Sequence, residues 1–164
     1  MFSPDRTRRF DVHLSGERQT ARLGAALAPL LGPGDTVLLR GELGAGKSAL
    51  ARAVIGAALG DPQAEIPSPS YTLVNIYETA FGPVWHADLY RLSGAAEELE
   101  ELGLIEVMGT ALVLVEWPER LGAVLPERWL DIALSAPRSG GRDAAIMLHG
   151  AGWDRVAALL GGWS

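Results

Sequence analysis

The 164-residue chain contains no cysteine, which excludes disulfide staples and thiolate metal centres and suits a reducing compartment. Lysine is almost missing as well. Of the 14 basic residues 13 are arginine, and Lys47 is the sole lysine. Long apolar runs are lacking: no stretch reaches the ~18 uninterrupted apolar residues that a membrane span needs. The start, MFSPDRTRRF, has arginines with no apolar run behind them and does not read as a secretory signal. A cytoplasmic protein with no membrane role is expected. Positive charge is in deficit, at a formal net charge of -6, which argues against broad electrostatic binding to nucleic acid.

What is present is an ordinary globular composition, 48% hydrophobic and 21% charged. At this length one domain, residues 1–164, is expected, burying roughly 70% of the surface its unfolded chain exposes. Phe10 to Leu14 alternates apolar and polar residues and reads as a short strand. Ser15 is placed to cap a helix from about Gly16 to Leu31, with Pro29 as its kink or stop. Thr36 to Arg40 reads as a strand covered on both faces, followed by a glycine-rich loop and an alanine-rich helix from Lys47 to about Leu59. Further strands are expected at Tyr71–Glu78, Val84–Leu89, Ala111–Val115, Trp129–Leu134 and Ala144–Leu148, with helices at the acidic stretch Glu97–Glu101 and at Trp153–Leu160. The alternation predicts an α/β fold: a P-loop three-layer sandwich with a mainly parallel sheet and added antiparallel strands.

The loop is Gly41-Glu42-Leu43-Gly44-Ala45-Gly46-Lys47-Ser48, followed by Ala49. Given one lysine, chance would set those two glycines and that hydroxyl around it roughly once in seven hundred, so the motif is not accidental. Phosphates need many N–H donors in a small concave space, and a tightly curled backbone supplies them only where glycine removes the side chain. The following helix adds its N-terminal amides and dipole. Lys47 supplies a point charge to the phosphates, and Ser48 offers a hydroxyl to Mg²⁺. The expected ligands are ATP or ADP with Mg²⁺. A guanine-reading Asn-Lys-x-Asp segment would need a second lysine, so that device is absent and ATP is the better expectation than GTP.

Acids that hold Mg²⁺ or place a water belong at strand ends near this loop. Glu116 ends Ala111–Val115, and Asp88 ends Val84-Trp85-His86-Ala87. Both are read as catalytic and metal-facing, with the solvated strand-end carboxylate as the plainer alternative. Glu97 to Glu101 reads as a solvated helix face. The hydroxyls of Ser68, Ser70 and Thr72, in a proline-broken loop, read either as a switch sensing the terminal phosphate or as turn caps. Trp117 either packs beside the nucleotide or fills core. His86 shares a strand face with Asp88 and either orients that acid or is a packed core residue.

These segments resemble the TsaE family, also called YjeE or YdiB. The resemblance is carried by the phosphate loop together with Ser68-Pro69-Ser70-Tyr71-Thr72-Leu73-Val74, His86-Ala87-Asp88-Leu89-Tyr90-Arg91-Leu92, Glu98 to Leu104, and Glu116-Trp117-Pro118-Glu119-Arg120. It spans roughly residues 10 to 135. It implies a P-loop ATPase that is slow alone, works with TsaB and TsaD, and supports threonylcarbamoyl transfer to adenosine in tRNA, meeting tRNA only through that complex. By position it implies Lys47 and Ser48 as phosphate and Mg²⁺ contacts, Glu116 as the Walker B acid, Asp88 as a second functional acid, and Trp117 near the nucleotide. The family usually has threonine where this chain has Ser48 and Ser70; the hydroxyl is kept and a methyl is lost. Two other readings fit the phosphate loop. One is a small-molecule kinase, with Arg138 and Arg142 as its lid. The other is a nucleotide-gated binding subunit with negligible turnover.

Overall fold

The computed structural model describes residues 7–163, so the first six residues, which open the stretch read as no secretory signal, lie outside it. In chain order the elements are β1 (Arg8–Leu14), α1 (Glu17–Leu27), β2 (Thr36–Arg40), α2 (Lys47–Ala58), β3 (Val74–Thr79), β4 (Gly82–Asp88), α3 (Ala96–Leu102), α4 (Leu104–Val107), β5 (Leu112–Glu116), β6 (Trp129–Ser135), β7 (Arg142–His149) and α5 (Asp154–Gly161). The strands form one sheet in the order β1-β7-β6-β2-β5-β4-β3. The four central strands, β6-β2-β5-β4, are parallel to one another. At the edges, β7 and β1 add antiparallel pairings on one side and β3 adds another on the other. The mainly parallel sheet with antiparallel additions is thus borne out.

The run Val37-Leu38-Leu39 explains the layering. Val37 and Leu39 join the core under α1, α2 and α5, with Leu23, Leu27, Leu50, Val54, Val156 and Leu160. Leu38 points the other way, into a second core with Val113, Val115, Leu99, Leu104 and Leu121. Successive strand side chains alternate faces, so a strand apolar at every position must be covered twice. Helices on both faces complete the three-layer sandwich.

Most strand ends fall within one or two residues of expectation, and three boundaries differ for a visible local reason. Ser15 does not cap α1: Gly16 takes the extended cap position, and its carbonyl accepts the amides of Gln19 and Thr20. Ser15 is left outside the helix with an exposed side chain. The α-helix stops at Leu27, and Ala28–Leu30 continues as a single 3₁₀ turn holding Pro29, whose missing N–H suits a first turn. The strand expected from Tyr71 begins only at Val74. Leu73 turns back to donate its amide to Pro69 O at 2.7 Å and has a left-handed backbone, φ 67°.

Candidate functional site

The parallel register brings three strand ends to one edge of the sheet. Leu39 lies beside Glu116, and Asp88 lies beside Glu116 on the other side. The loop after β2, Glu116 after β5 and Asp88 after β4 therefore meet at the carboxyl ends of adjacent parallel strands, where open α/β sheets bind ligands. A cleft of about 480 Å³ opens there, within the ~300–1,000 Å³ typical of small-molecule sites.

The loop leaves Arg40 through Gly41, whose φ is 142°. A Cβ on Gly41 would lie 2.5 Å from Leu134 O and 2.9 Å from the Ala45 side chain, so only glycine fits. Ala45 donates to Glu42 O at 3.1 Å, closing the curl, and its side chain is buried beneath. The first helical bond of α2 runs from Leu50 N to Gly46 O. The amides of Lys47, Ser48 and Ala49 precede it and have no helical acceptor, which leaves them free for an anion. Leu43, Gly44, Gly46, Lys47, Ser48 and Ala49 line the cleft.

Lys47 is buried, and its Nζ donates to Gly41 O and, at 2.8 Å, to Glu42 O. It also stands 4.3 Å from the centre of the Trp117 ring. Burial pushes its pKa below the ordinary lysine value, and the nearby charges of Glu116, Asp88 and Glu119 only partly restore it. An ammonium held this way gains from a further anion. Trp117 in turn packs against Tyr90, with ring centres 4.9 Å apart. Its backbone is left-handed, φ 58°.

Glu116 is buried and gripped on both oxygens. Ser48 Oγ donates to Oε1 at 2.7 Å, and His86 Nε2–H donates to Oε2 at 2.7 Å. Burial alone would raise the carboxyl's pKa. The hydrogen bond and charge of His86, the Ser48 hydroxyl and the Lys47 charge outweigh that and hold it below the ordinary value. His86 thus serves Glu116, not Asp88. Both residues point to the same side of the sheet, but Glu116, on the adjoining strand β5, comes within hydrogen-bonding distance of the ring. Asp88 is held otherwise: its amide donates to Leu73 O at 2.9 Å, and its Oδ1 accepts the Tyr90 amide at 3.1 Å.

Ser68 and Ser70 line the cleft with their hydroxyls 3.2 Å apart. Thr72 does not join them; its hydroxyl is turned to Asn75 Oδ1 at 2.9 Å. In the acidic helix Leu99 is buried, Glu98 reaches back to the Ser93 amide and hydroxyl, and Glu97, Glu100 and Glu101 face solvent. Arg138 is exposed and away from the cleft. Sequence reasoning missed one wall altogether: Ser15, Gly16, Glu17 and Thr20 at the start of α1, with Gly141. Only the pairing of β1 with β7, which sets Leu14 beside Arg142, brings those segments together.

The arrangement can bind a polyphosphate on backbone amides and a lysine, and can offer oxygen ligands to a hard cation beside it. Comparison with known proteins identifies the family. The family profile for Threonylcarbamoyl adenosine biosynthesis protein TsaE matches residues 14–144. The chain is 35% identical over 136 residues to the tRNA threonylcarbamoyladenosine biosynthesis protein TsaE of Rickettsia felis, covering 83% of this chain and 78% of that one. It is 37% identical over 131 residues to the protein of the same name from Treponema pallidum, covering 79% of this chain and 93% of that one. Among solved structures, YdiB of Bacillus subtilis superposes with a TM-score of 0.76 at 24% identity, over 96% of this chain and 97% of that one.

Proposed function

The chain belongs to the TsaE family, and from that premise we propose that it binds and hydrolyses ATP with Mg²⁺ in the cleft, in support of threonylcarbamoyladenosine formation in tRNA. The observation that carries this reading is the contact of Ser48 Oγ with Glu116 at 2.7 Å at the mouth of the phosphate loop. It joins the hydroxyl that follows the loop lysine to the acid at the end of the neighbouring strand.

The residues present fit Mg²⁺. Ser48, Glu116 and Asp88 offer oxygen donors only, which suits a hard cation. Among the described residues no three His, Cys, Asp or Glu side chains cluster as a metal cage. Mg²⁺ does not need one, because it is commonly held by one or two carboxylates together with substrate phosphates. When bound, the cation would neutralise charge developing on the phosphates.

The chain's own groups divide the remaining work. The amides of Gly44 to Ala49 bind and orient the phosphates. Lys47 exchanges the carbonyls of Gly41 and Glu42 for phosphate oxygens, which relieves its buried charge. Glu116, kept ionised by His86, accepts from Ser48 and holds that hydroxyl in place. Asp88, fixed at the end of β4, is the acid available to orient a water, with Ser70 beside it. Trp117 supplies a flat apolar wall. The kinase reading loses support: Arg138 faces solvent, and Arg142 rests on the phosphate loop and so does not form a free lid.

TsaB and TsaD are the proposed partners, with tRNA met through them, and the whole chain is read as one domain. No described helix is long and apolar enough to cross a membrane, which is compatible with the proposed cytoplasmic setting. The decisive experiment follows phosphate release from labelled ATP with and without TsaB and TsaD. Slow release of free phosphate, accelerated by the partners and lost in Lys47→Ala, is expected. A labelled organic product, or release indifferent to both partners, would sink the proposal.

A further inference from the structure

Among the described residues two cations line the cleft, Lys47 and Arg142. The function proposed above uses only the first. Arg142 stands at the start of β7, directly after Gly140 and Gly141. Its Nη1 donates to Gly141 O at 2.8 Å, and its Nη2 donates to Gly44 O, inside the phosphate loop, at 3.2 Å. Its Cγ and Nε lie 3.9 and 4.0 Å from where a Cβ on Gly46 would sit. Among the described residues no carboxylate pairs with it, although acids outnumber bases in the chain by 20 to 14.

The backbone that carries this side chain is also held in place. Gly141 has φ 70°, and a Cβ there would lie 2.4 Å from Leu14 O and 3.1 Å from the His13 ring. The turn is therefore pressed against the end of β1. Arg142 itself pairs with Leu14 in the ladder. It is anchored on the sheet, unlike a residue of a mobile lid. Its two hydrogen bonds go to neutral carbonyls, which leaves the rest of its five N–H donors to spare. Phosphate oxygens compete well for such a group, because charge-assisted bonds are about twice as strong and the guanidinium fork matches their geometry.

We infer that Arg142 is a second cationic contact to the phosphate chain of the bound nucleotide, reaching it from β7 alongside Gly44 and Gly46 of the phosphate loop. The inference rests on the nucleotide-binding reading above. Its test is calorimetric titration of ADP and ATP, with Mg²⁺, into the full chain and into Arg142→Gln, Arg142→Lys and Lys47→Ala. The Gln variant is expected to stay folded by thermal melting, with at most the small fall that its lost bonds to Gly141 O and Gly44 O bring, and to bind both nucleotides ~10-fold more weakly, the loss of one hydrogen bond to a charged group. The Lys variant, which keeps the charge, is expected to lose less. Wild-type affinity in Arg142→Gln, or equal losses in the Gln and Lys variants, would overturn the role while Lys47→Ala still binds poorly. Full affinity in Lys47→Ala would instead remove the nucleotide site itself.

Discussion

His86→Leu is the sharpest perturbation of the site that leaves every proposed ligand-contacting residue in place. The imidazole is fully buried and donates to Glu116 at 2.7 Å. Leucine is of similar volume but leaves the carboxylate with the Ser48 hydroxyl alone. A hydrogen bond to a charged group contributes about 1.5–3 kcal/mol, and stranding one member of a buried pair costs about 3–5 kcal/mol. His86 Nδ1 is buried with no partner, so removing the ring also removes an unsatisfied atom. That pulls the expected loss down to about 2–3 kcal/mol. For a chain of this length the melting temperature should fall by roughly 4–12 °C. In a Glu116→Gln background there is no charge to strand, and the same change should cost about 1 kcal/mol or less. Thermal unfolding of the four proteins gives the coupling directly. Equal falls in both backgrounds would refute the claim that His86 acts through Glu116.

Glu116→Gln should also flatten the acid limb of stability. The folded carboxyl titrates below its ordinary value of 4.5, so its stabilisation is complete above that pH and lost as pH falls through the lower folded value. Unfolding measured between pH 3 and pH 6, taken as roughly the window around that value, should show a steeper decline for wild type than for Glu116→Gln. Gly41→Ala and Gly44→Ala separate strain from overlap. Both positions have positive φ, but a Cβ at Gly44 meets nothing within 4 Å, whereas one at Gly41 strikes Leu134 O at 2.5 Å. Gly44→Ala should cost about 1–2 kcal/mol, the penalty of a left-handed residue, and Gly41→Ala clearly more; equal melting temperatures would contradict the packing described. Of the five tryptophans only Trp117 lines the cleft. Trp117→Phe should therefore abolish most of the fluorescence change on adding ADP, and an undiminished change would place the responsive indole elsewhere.

How much of this was legible in the sequence depended on the range of the interaction. Thr36–Arg40 was read to the residue, because a strand covered twice has an unbroken apolar run and the glycine loop marks its end. Glu116 and Asp88 were legible as strand-end acids, since the chain itself shows where an apolar run stops. The partner of His86 was not. Period-2 reasoning relates residues within one strand, whereas the choice between Asp88 and Glu116 is made by the neighbouring strand. The wall formed by Ser15 to Thr20 was equally invisible, because it depends on β7 returning beside β1 across about 130 residues. The Ser68–Thr72 segment was half legible. Its prolines announced a loop, but nothing local said that Thr72 would turn towards Asn75 while Ser68 and Ser70 turned inward.

Leu73 and Trp117 are the two described non-glycine residues bent to positive φ. Each sits at a junction: Leu73 where the serine loop runs into β3, and Trp117 where the chain leaves β5. Between them lie Asp88 and Glu116, fixed by the ladder. Leu73 O accepts the Asp88 amide at 2.9 Å, and Trp117 follows Glu116 directly, so each bend is coupled to one of the two acids. A glycine at either position would adopt the same bend without the left-handed penalty of about 1–2 kcal/mol, so the side chains kept there are a local cost carried at the two places where the chain borders its acids.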